Sequence, residues 1–255
     1  MPDTHGGNIF KFSHDQKINL SEVTDFSANI NLLGPSPKGL EALNERLRYI
    51  SHYPDVTNDD VMNTIADVYG IEKDSILLGN GAAELIYAVG RLSGFTGAFV
   101  PAPGFSEYQS SMDAANIPVR EIFYRQRQND DGTPYFEVPY LALQTFAAEL
   151  KGQDGRIIVF LGNPNNPDGT LLDKQSIKVL AQMLKDANSL LVIDESFIDF
   201  IGDESLRHNS YSMRELINQY DNVIIVHSFT KFYAVPGLRI GAVFANPILI
   251  QELRQ

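Results

Sequence analysis

The sequence predicts an α/β fold in which helices cover both faces of a mostly parallel sheet. From residue 75 onward, short apolar runs alternate with segments whose apolar residues recur at helical spacing. Polar or glycine-rich motifs follow several of these apolar runs, and sheets of this class place their chemistry at strand ends. A chain of 255 residues is long enough to bury a sizeable core in one large domain.

The predicted elements follow one another along the chain. Helices are expected behind Pro37 and behind Thr57, a plausible N-cap, whereas the first 35 residues and residues 125–133 are expected to be irregular. Seven strands are predicted, at residues 76–78, 98–100, 119–123, 157–161, 190–193, 223–226 and 240–244. Further helices are predicted at residues 82–92, 106–115, 141–150 and 173–186, with another beginning at Pro247.

The amino-acid composition narrows the kinds of protein and partner to consider. Hydrophobic residues make up 44% of the chain and charged residues 20%, as in ordinary soluble globular proteins. A formal net charge of -12 disfavours nucleic acid as a partner. No apolar run approaches the length of a membrane span, so we expect no membrane partner and, by default, a cytoplasmic protein. The absence of cysteine excludes disulfides and thiolate metal sites, and we predict no metal site of another kind.

A lysine with an unusual set of neighbours follows the apolar run at residues 223–226. Hydroxyls stand at Ser228 and Thr230, just before Lys231, and Arg239 lies eight residues after the lysine. A single lysine is most often a solvated surface cation. One amine, two hydroxyls and one guanidinium could together hold an aldehyde cofactor that also carries a phosphate.

This spacing resembles the Schiff-base segment of the fold type I enzymes that use pyridoxal 5'-phosphate (PLP), the aspartate aminotransferase superfamily. The resemblance implies that Lys231 forms an imine with PLP, that Ser228 and Arg239 hold its phosphate, and that Thr230 belongs to the same site. Only an amine both forms a reversible imine and later moves the Cα proton. The implied fold is the large domain of that superfamily, built on a mostly parallel seven-stranded sheet.

A glycine-rich turn joins the strand predicted at residues 76–78 to the helix that follows it. Glycines let the backbone approach an anion, and the amides at the start of the helix would point at that anion. Such a turn is often only a place of tight packing. It also resembles the phosphate-binding turn of the same superfamily, which assigns Gly81, Ala82 and Ala83 to the cofactor phosphate.

Three further residues match the superfamily, and one departs from it. Asn166 corresponds to the asparagine that donates to the cofactor's 3'-oxygen. Asp194 corresponds to the carboxylate that faces a protonated pyridine nitrogen, although a helix N-cap is a fair alternative. Phe105 corresponds to the aromatic that stacks on the ring, or else is a core aromatic. Phe197 stands where a tyrosine is usual, which weakens the fit to a transaminase.

Two polar clusters near the N-terminus indicate a subfamily. The glycine-flanked His5 and the segment from Asp25 to Asn31 look like those of the L-threonine-O-3-phosphate decarboxylases of cobalamin biosynthesis, relatives of the histidinol-phosphate aminotransferases. The resemblance nominates His5, Asn29 and Asn31 as ligands of the substrate's phosphate. Without that resemblance the clusters would be ordinary turns.

The implied reaction is decarboxylation of L-threonine O-3-phosphate, a small phosphorylated amino acid, to (R)-1-amino-2-propanol O-2-phosphate. The Cα bond held perpendicular to the cofactor ring is the one that breaks: the bond to the carboxylate in a decarboxylase, and the bond to hydrogen in a transaminase. Two alternatives stay open. One is a histidinol-phosphate aminotransferase that needs 2-oxoglutarate, and the other is a non-catalytic PLP-fold protein that serves as an interaction partner.

The resemblance also implies a division of the chain and a partner. Residues 1–35 would form an N-terminal arm that contributes to the substrate site, and residues 36–255 would form the PLP-binding large domain. The superfamily continues into a small C-terminal domain, which we expect this chain to lack. Tyr53 matches a tyrosine that reaches the cofactor phosphate of a neighbouring subunit, so the resemblance implies a homodimer.

Overall fold

A mixed sheet of seven strands runs through the computed structural model, which describes residues 6–138, 140–150, 155–201 and 209–255. The strands in chain order are β1 (Ile76–Asn80), β2 (Phe95–Ala102), β3 (Val119–Phe123), β4 (Arg125–Gln128), β5 (Pro134–Glu137), β6 (Arg156–Gly162), β7 (Leu190–Asp194), β8 (Val223–Ser228) and β9 (Ile240–Ala245). The large sheet has the order β1-β9-β8-β7-β6-β2-β3, and β4 and β5 form a separate hairpin.

Strand direction brings the ends of several strands to one edge of the sheet. Neighbouring strands from β8 through β7, β6 and β2 to β3 are parallel, whereas β9 is antiparallel to both β8 and β1. The carboxyl ends of β1, β2, β6, β7 and β8 therefore share an edge with the start of β9. The predicted α/β fold with a mostly parallel seven-stranded sheet is confirmed.

Helices pack on both faces of the sheet, as predicted. In chain order they are α1 (Ile9–Gln16), α2 (Pro37–Arg46), α3 (Asp59–Tyr69), α4 (Ala82–Gly90), α5 (Ser106–Ala114), α6 (Tyr140–Leu150), α7 (Lys174–Asp186), α8 (Phe229–Phe232) and α9 (Pro247–Leu253). One apolar core lies between the sheet and α3, α6 and α7, and the other lies between the sheet and α4, α5 and α9. Alternate residues of β6 supply the two cores, with Val159 on one side and Phe160 on the other.

The central strands are apolar because both of their faces are covered. Every residue of β7 and β8 is buried, which explains why both strands begin with four apolar residues in a row rather than alternating apolar and polar ones. Helix α7 begins where Asp173 accepts a hydrogen bond from the Ser176 amide at 2.9 Å. The described helices include none that is long and apolar enough to cross a bilayer.

Three local predictions are wrong. Residues 125–133 are not all loop, because β4 pairs with β5; every residue of this ribbon is exposed, so no apolar alternation marked it. The first 35 residues contain α1, which Asn8 caps by accepting from the Lys11 amide at 3.2 Å. The N-cap of α3 is Asn58 rather than Thr57. The boundary between an arm and a large domain at residue 35 stays a prediction.

Candidate active site

A cavity of about 440 Å³ opens at the shared strand edge. A smaller space of about 40 Å³ shares Phe105, Asn166 and Lys231 with it and reaches Asp194. The residues of the predicted site that line the larger cavity are Asn29, Ala82, Ala83, Phe105, Asn166, Ser228, Thr230, Lys231 and Arg239. Positions that lie up to 210 residues apart in the sequence thus meet at one site.

The lysine lies in α8, directly after β8. Its Nζ donates a hydrogen bond of 3.3 Å to Ser228 Oγ, which is also 2.8 Å from Thr230 Oγ1. Burial lowers the pKa of Lys231; the negative charge of Asp194 opposes this, and the positive charge of Arg239 adds to it. A lowered pKa increases the fraction of neutral amine, which is the form that attacks an aldehyde.

The turn between β1 and α4 lies against Arg239. Gly81 has a φ of +84°, and a Cβ built on it would overlap the Arg239 guanidinium. A Cβ on Gly241 would lie 2.6 Å from the Ala82 nitrogen, so β9 also approaches this turn closely. The start of α4, the guanidinium and the Ser228 and Thr230 hydroxyls consequently surround one cavity, a donor set that suits a phosphate dianion.

Asp194 ends β7 and is 6% exposed. Its Oδ2 accepts a hydrogen bond of 2.8 Å from the Tyr108 hydroxyl, and its Oδ1 accepts one of 2.9 Å from the Ser196 amide. Both donors are neutral. A buried carboxylate held in this way is suited to a cationic group that enters the cavity, such as a protonated ring nitrogen.

The loop after β6 is tied to the loop after β2. Asn165 is buried, and its Nδ2 donates to the Pro103 carbonyl at 3.0 Å and to Asp168 Oδ1 at 2.9 Å. These bonds fix the backbone next to Asn166 beside the loop that carries Phe105. Asn165 and Tyr108 were not predicted as site residues. Asn165 stands in an asparagine-proline run typical of turns, and Tyr108 falls within a helical apolar pattern typical of core residues.

The N-terminal segment reaches the cavity, and its predicted substrate residues divide into two groups. Asn29 lines the cavity, together with Gly6 and the residues around Ser27. Asn31 does not, because its Nδ2 donates to the Phe232 carbonyl at 2.9 Å and its amide donates to the Lys231 carbonyl at 3.0 Å. Asn31 thus fastens the segment to the lysine turn. His5 lies outside the described residues.

Two other predicted features have a clear position. Tyr53 is 100% exposed in the single chain and is not in the wall of this cavity, so its role across a subunit interface stays a prediction. Phe197 lines the cavity, and its ring centroid lies 6.0 Å from Lys231 Nζ. The ring gives the site an apolar wall where a tyrosine would supply a hydroxyl.

Known proteins share this architecture. The model of the family "Aminotransferase class I and II" matches residues 21–255. The adenosylcobalamin biosynthesis bifunctional protein CobDQ of Leptospira interrogans is 36% identical over 98% of this chain and 27% of its own length. The threonine-phosphate decarboxylase of Salmonella typhimurium is 31% identical over 93% of this chain and 60% of its own length. The chain therefore spans less than two thirds of either relative.

A solved structure agrees with the family assignment and contains the cofactor. The histidinol-phosphate aminotransferase of Sinorhizobium meliloti, in complex with pyridoxal 5'-phosphate, superposes with a TM-score of 0.70 and 25% identity over 89% of this chain and 57% of its own. The chain belongs to the aminotransferase class I and II family of PLP-dependent enzymes, and PLP is its cofactor. The cavity's amine, its carboxylate and its set of hydrogen-bond donors for a phosphate fit that cofactor.

Proposed function

We propose that this chain is the PLP-binding part of a threonine-phosphate decarboxylase, which converts L-threonine O-3-phosphate to (R)-1-amino-2-propanol O-2-phosphate in the cytoplasm. The observation that carries the proposal is the placement of the N-terminal segment. Residues Gly6 and Ser27 to Ile30, the part of the sequence that resembles the decarboxylases, form one wall of the cavity that contains Lys231. The two relatives named for cobalamin biosynthesis and for threonine-phosphate decarboxylation support the same reaction.

Each residue then has a task toward the cofactor. Its phosphate would be bound by Arg239, the hydroxyls of Ser228 and Thr230 and the amides of Ala82 and Ala83. Asp194 would hold the ring nitrogen, Asn166 would donate to the 3'-oxygen, and Phe105 would stack on the ring. PLP would supply an electron sink for the bond at Cα that breaks.

The chain's own groups decide which Cα bond that is. Asn29 and its neighbours line the same cavity as the cofactor residues, where they would position the substrate's phosphate and thereby set the torsion about Cα. In the decarboxylation Lys231 would deliver a proton to Cα in place of the carboxylate that leaves as carbon dioxide, and its lowered pKa makes its protonated form a stronger acid. The apolar ring of Phe197 beside the lysine keeps water from this part of the cavity.

A histidinol-phosphate aminotransferase is the second candidate, and the structural similarity to the Sinorhizobium enzyme favours it. The two reactions differ in a simple requirement: the transaminase needs a 2-oxo acid acceptor, and the decarboxylase does not. The test is release of carbon dioxide from L-threonine O-3-phosphate with PLP present and no 2-oxo acid, in the longest form of the protein that its gene encodes. Release that disappears in Lys231→Ala supports the decarboxylase. Amino transfer from histidinol phosphate to 2-oxoglutarate, without such release, contradicts it.

We further propose a homodimer in which Tyr53 reaches the partner's cofactor phosphate. The high exposure of Tyr53 (100%), Val56 (91%) and Ile50 (86%) in the single chain supports this arrangement. Lys231→Ala and Tyr53→Ala chains, each inactive alone, are mixed and allowed to exchange subunits. If Tyr53 acts across the interface, each mixed dimer has one intact site, and about a quarter of the wild-type activity returns. No recovery means that Tyr53 does not serve the partner's site.

A further inference from the structure

Tyr108 is a polar side chain embedded in an apolar core. It lies in α5, is 2% exposed, and belongs to the core on the α4, α5 and α9 face of the sheet. Its ring stacks on Phe160, with centroids 5.1 Å apart and planes 14° from parallel. Its hydroxyl has a polar partner at the edge of this core, because it donates a hydrogen bond to Asp194 Oδ2 at 2.8 Å.

The hydroxyl completes a two-point anchor on the Asp194 carboxylate. The Ser196 amide, in the segment that follows β7, holds Oδ1, and Tyr108, from α5, holds Oδ2. Donors from two separate elements restrain the carboxylate plane better than one donor, because rotation about Cβ–Cγ would break one bond or the other. Burial and then the charge of Asp194 raise the pKa of Tyr108 well above its ordinary value, so the phenol keeps its proton.

The same tyrosine contacts Phe105, an aromatic side chain that lines the cavity. The Phe105 and Tyr108 rings meet edge to face, with centroids 5.7 Å apart and an interplanar angle of 85°. Phe105 lines both the main cavity and the smaller space that reaches Asp194. One buried side chain therefore supports two residues of this site, Asp194 and Phe105, which come from different parts of the chain.

We propose that Tyr108 is a positioning residue that presents the Asp194 carboxylate to the cofactor ring in a fixed orientation. The inference rests on the proposed role of Asp194 toward PLP. A preorganised carboxylate does not have to be ordered when the cofactor binds, so loss of the hydroxyl weakens binding even though Tyr108 itself does not touch the cofactor.

The test compares Tyr108→Phe with Tyr140→Phe. The Tyr140 hydroxyl donates to the Ser176 carbonyl at 2.7 Å, and Tyr140 packs on the opposite face of the sheet. Each substitution removes one hydroxyl and keeps the ring, so both variants should fold and lose a similar small amount of thermal stability. We expect Tyr108→Phe to weaken PLP binding about tenfold and to change the visible absorbance of the bound cofactor, and Tyr140→Phe to stay within about twofold of the wild type.

A second comparison shows whether the effect passes through Asp194. In an Asp194→Asn background, Tyr108→Phe should change PLP binding less than about twofold, because the carboxylate that the hydroxyl orients is gone. A tenfold loss in both backgrounds, or equal behaviour of Tyr108→Phe and Tyr140→Phe in the wild-type background, overturns the inference.

These readouts need no substrate. PLP titration of the wild type and the variants therefore tests Tyr108 whether or not the protein decarboxylates threonine phosphate. A wild type that binds PLP without releasing carbon dioxide contradicts the proposed function and leaves the Tyr108 inference standing. The converse result, decarboxylation with a Tyr108→Phe variant that binds PLP like its control, contradicts only the inference.

Discussion

The Arg239 guanidinium occupies the space that a side chain at position 81 would need. Gly81 has a φ of +84°, and a Cβ built there would overlap the guanidinium. The arginine has its own unusual backbone, with a φ of 50°. These two conformations together let a cation pack directly on the turn that begins α4, where the helix amides already favour an anion.

Replacement of Gly81 by alanine should separate cofactor binding from folding. The strained φ costs roughly 1–3 kcal/mol of unfolding free energy, and the new methyl group displaces the flexible end of Arg239. Gly132 is the matched control, because its φ is +83° and a Cβ there would meet nothing within 4 Å. We expect both variants to be destabilised in thermal denaturation. Only Gly81→Ala should bind PLP more weakly when the cofactor is titrated. Equal PLP affinity would show that Arg239 does not bind the phosphate.

Removal of the buried amine should stabilise the cofactor-free protein in a way that depends on pH. Burial is the main cause of the lowered pKa of Lys231, so the folded state disfavours the charged amine relative to the unfolded chain. Below the folded pKa this penalty is fully present, and it disappears as the pH rises toward the ordinary value of about 10.5. Lys231→Met should therefore be more stable than the wild type at pH 7. In urea unfolding, the difference in unfolding free energy between Lys231→Met and the wild type should shrink between pH 7 and 10. A constant difference would show that the buried charge of Lys231 is not its cause.

A buried acid beside the lysine segment predicts an opposite pH dependence. The side chain of Asp199 is hydrogen-bonded to His227 Nε2 at 3.1 Å, and it accepts a hydrogen bond from the Tyr69 hydroxyl at 2.9 Å. Burial acts to raise the pKa of Asp199, but the hydrogen bond and charge of His227, with smaller contributions from Tyr69 and Arg214, outweigh it and lower the pKa.

The stability that Asp199 contributes is present above its unfolded pKa of about 4 and is lost as the pH falls through the lower folded value. Asp199→Asn should cost roughly 1–3 kcal/mol at pH 7, because it breaks bonds between buried groups. Unfolding monitored by circular dichroism at decreasing pH checks this direction. Below about pH 4 the difference in unfolding free energy between the wild type and Asp199→Asn should narrow. A difference that widens on acidification would contradict it.

The two asparagines of the N-terminal segment should behave differently. Asn31 holds the segment to the lysine turn, so Asn31→Ala should lower the unfolding free energy by about 1–2 kcal/mol. Asn29 is exposed and lines the cavity, so Asn29→Ala should leave stability unchanged and raise KM for the phosphorylated substrate. Denaturation and steady-state kinetics on the two variants provide the comparison. If Asn31→Ala raises KM at unchanged stability, Asn31 contacts substrate, as the sequence resemblance implies.

The central strands could be predicted from the sequence because buried strands require consecutive apolar residues. Strands β6, β7 and β8 differ from prediction by one or two residues at an end, since apolar runs mark strands covered on both faces. The edge strand β3 also has the predicted bounds, although Ile122 is its one buried residue. The β4–β5 ribbon was missed for the converse reason: an exposed ribbon has no buried face, so its glutamines and arginines carry no alternation.

The sequence by itself determined the lysine, carboxylate and glycine motifs, because each depends on short spacings and on residue types that one chemistry requires. The tertiary structure alone decided which residues support them. Tyr108 and Asp194 are 86 positions apart, and Asn31 and Phe232 are 201 apart; no local pattern links either pair. Such contacts arise because parallel strands bring distant carboxyl ends to one edge of a sheet, and the packing of helices against that sheet then selects which hydroxyls and amides reach it.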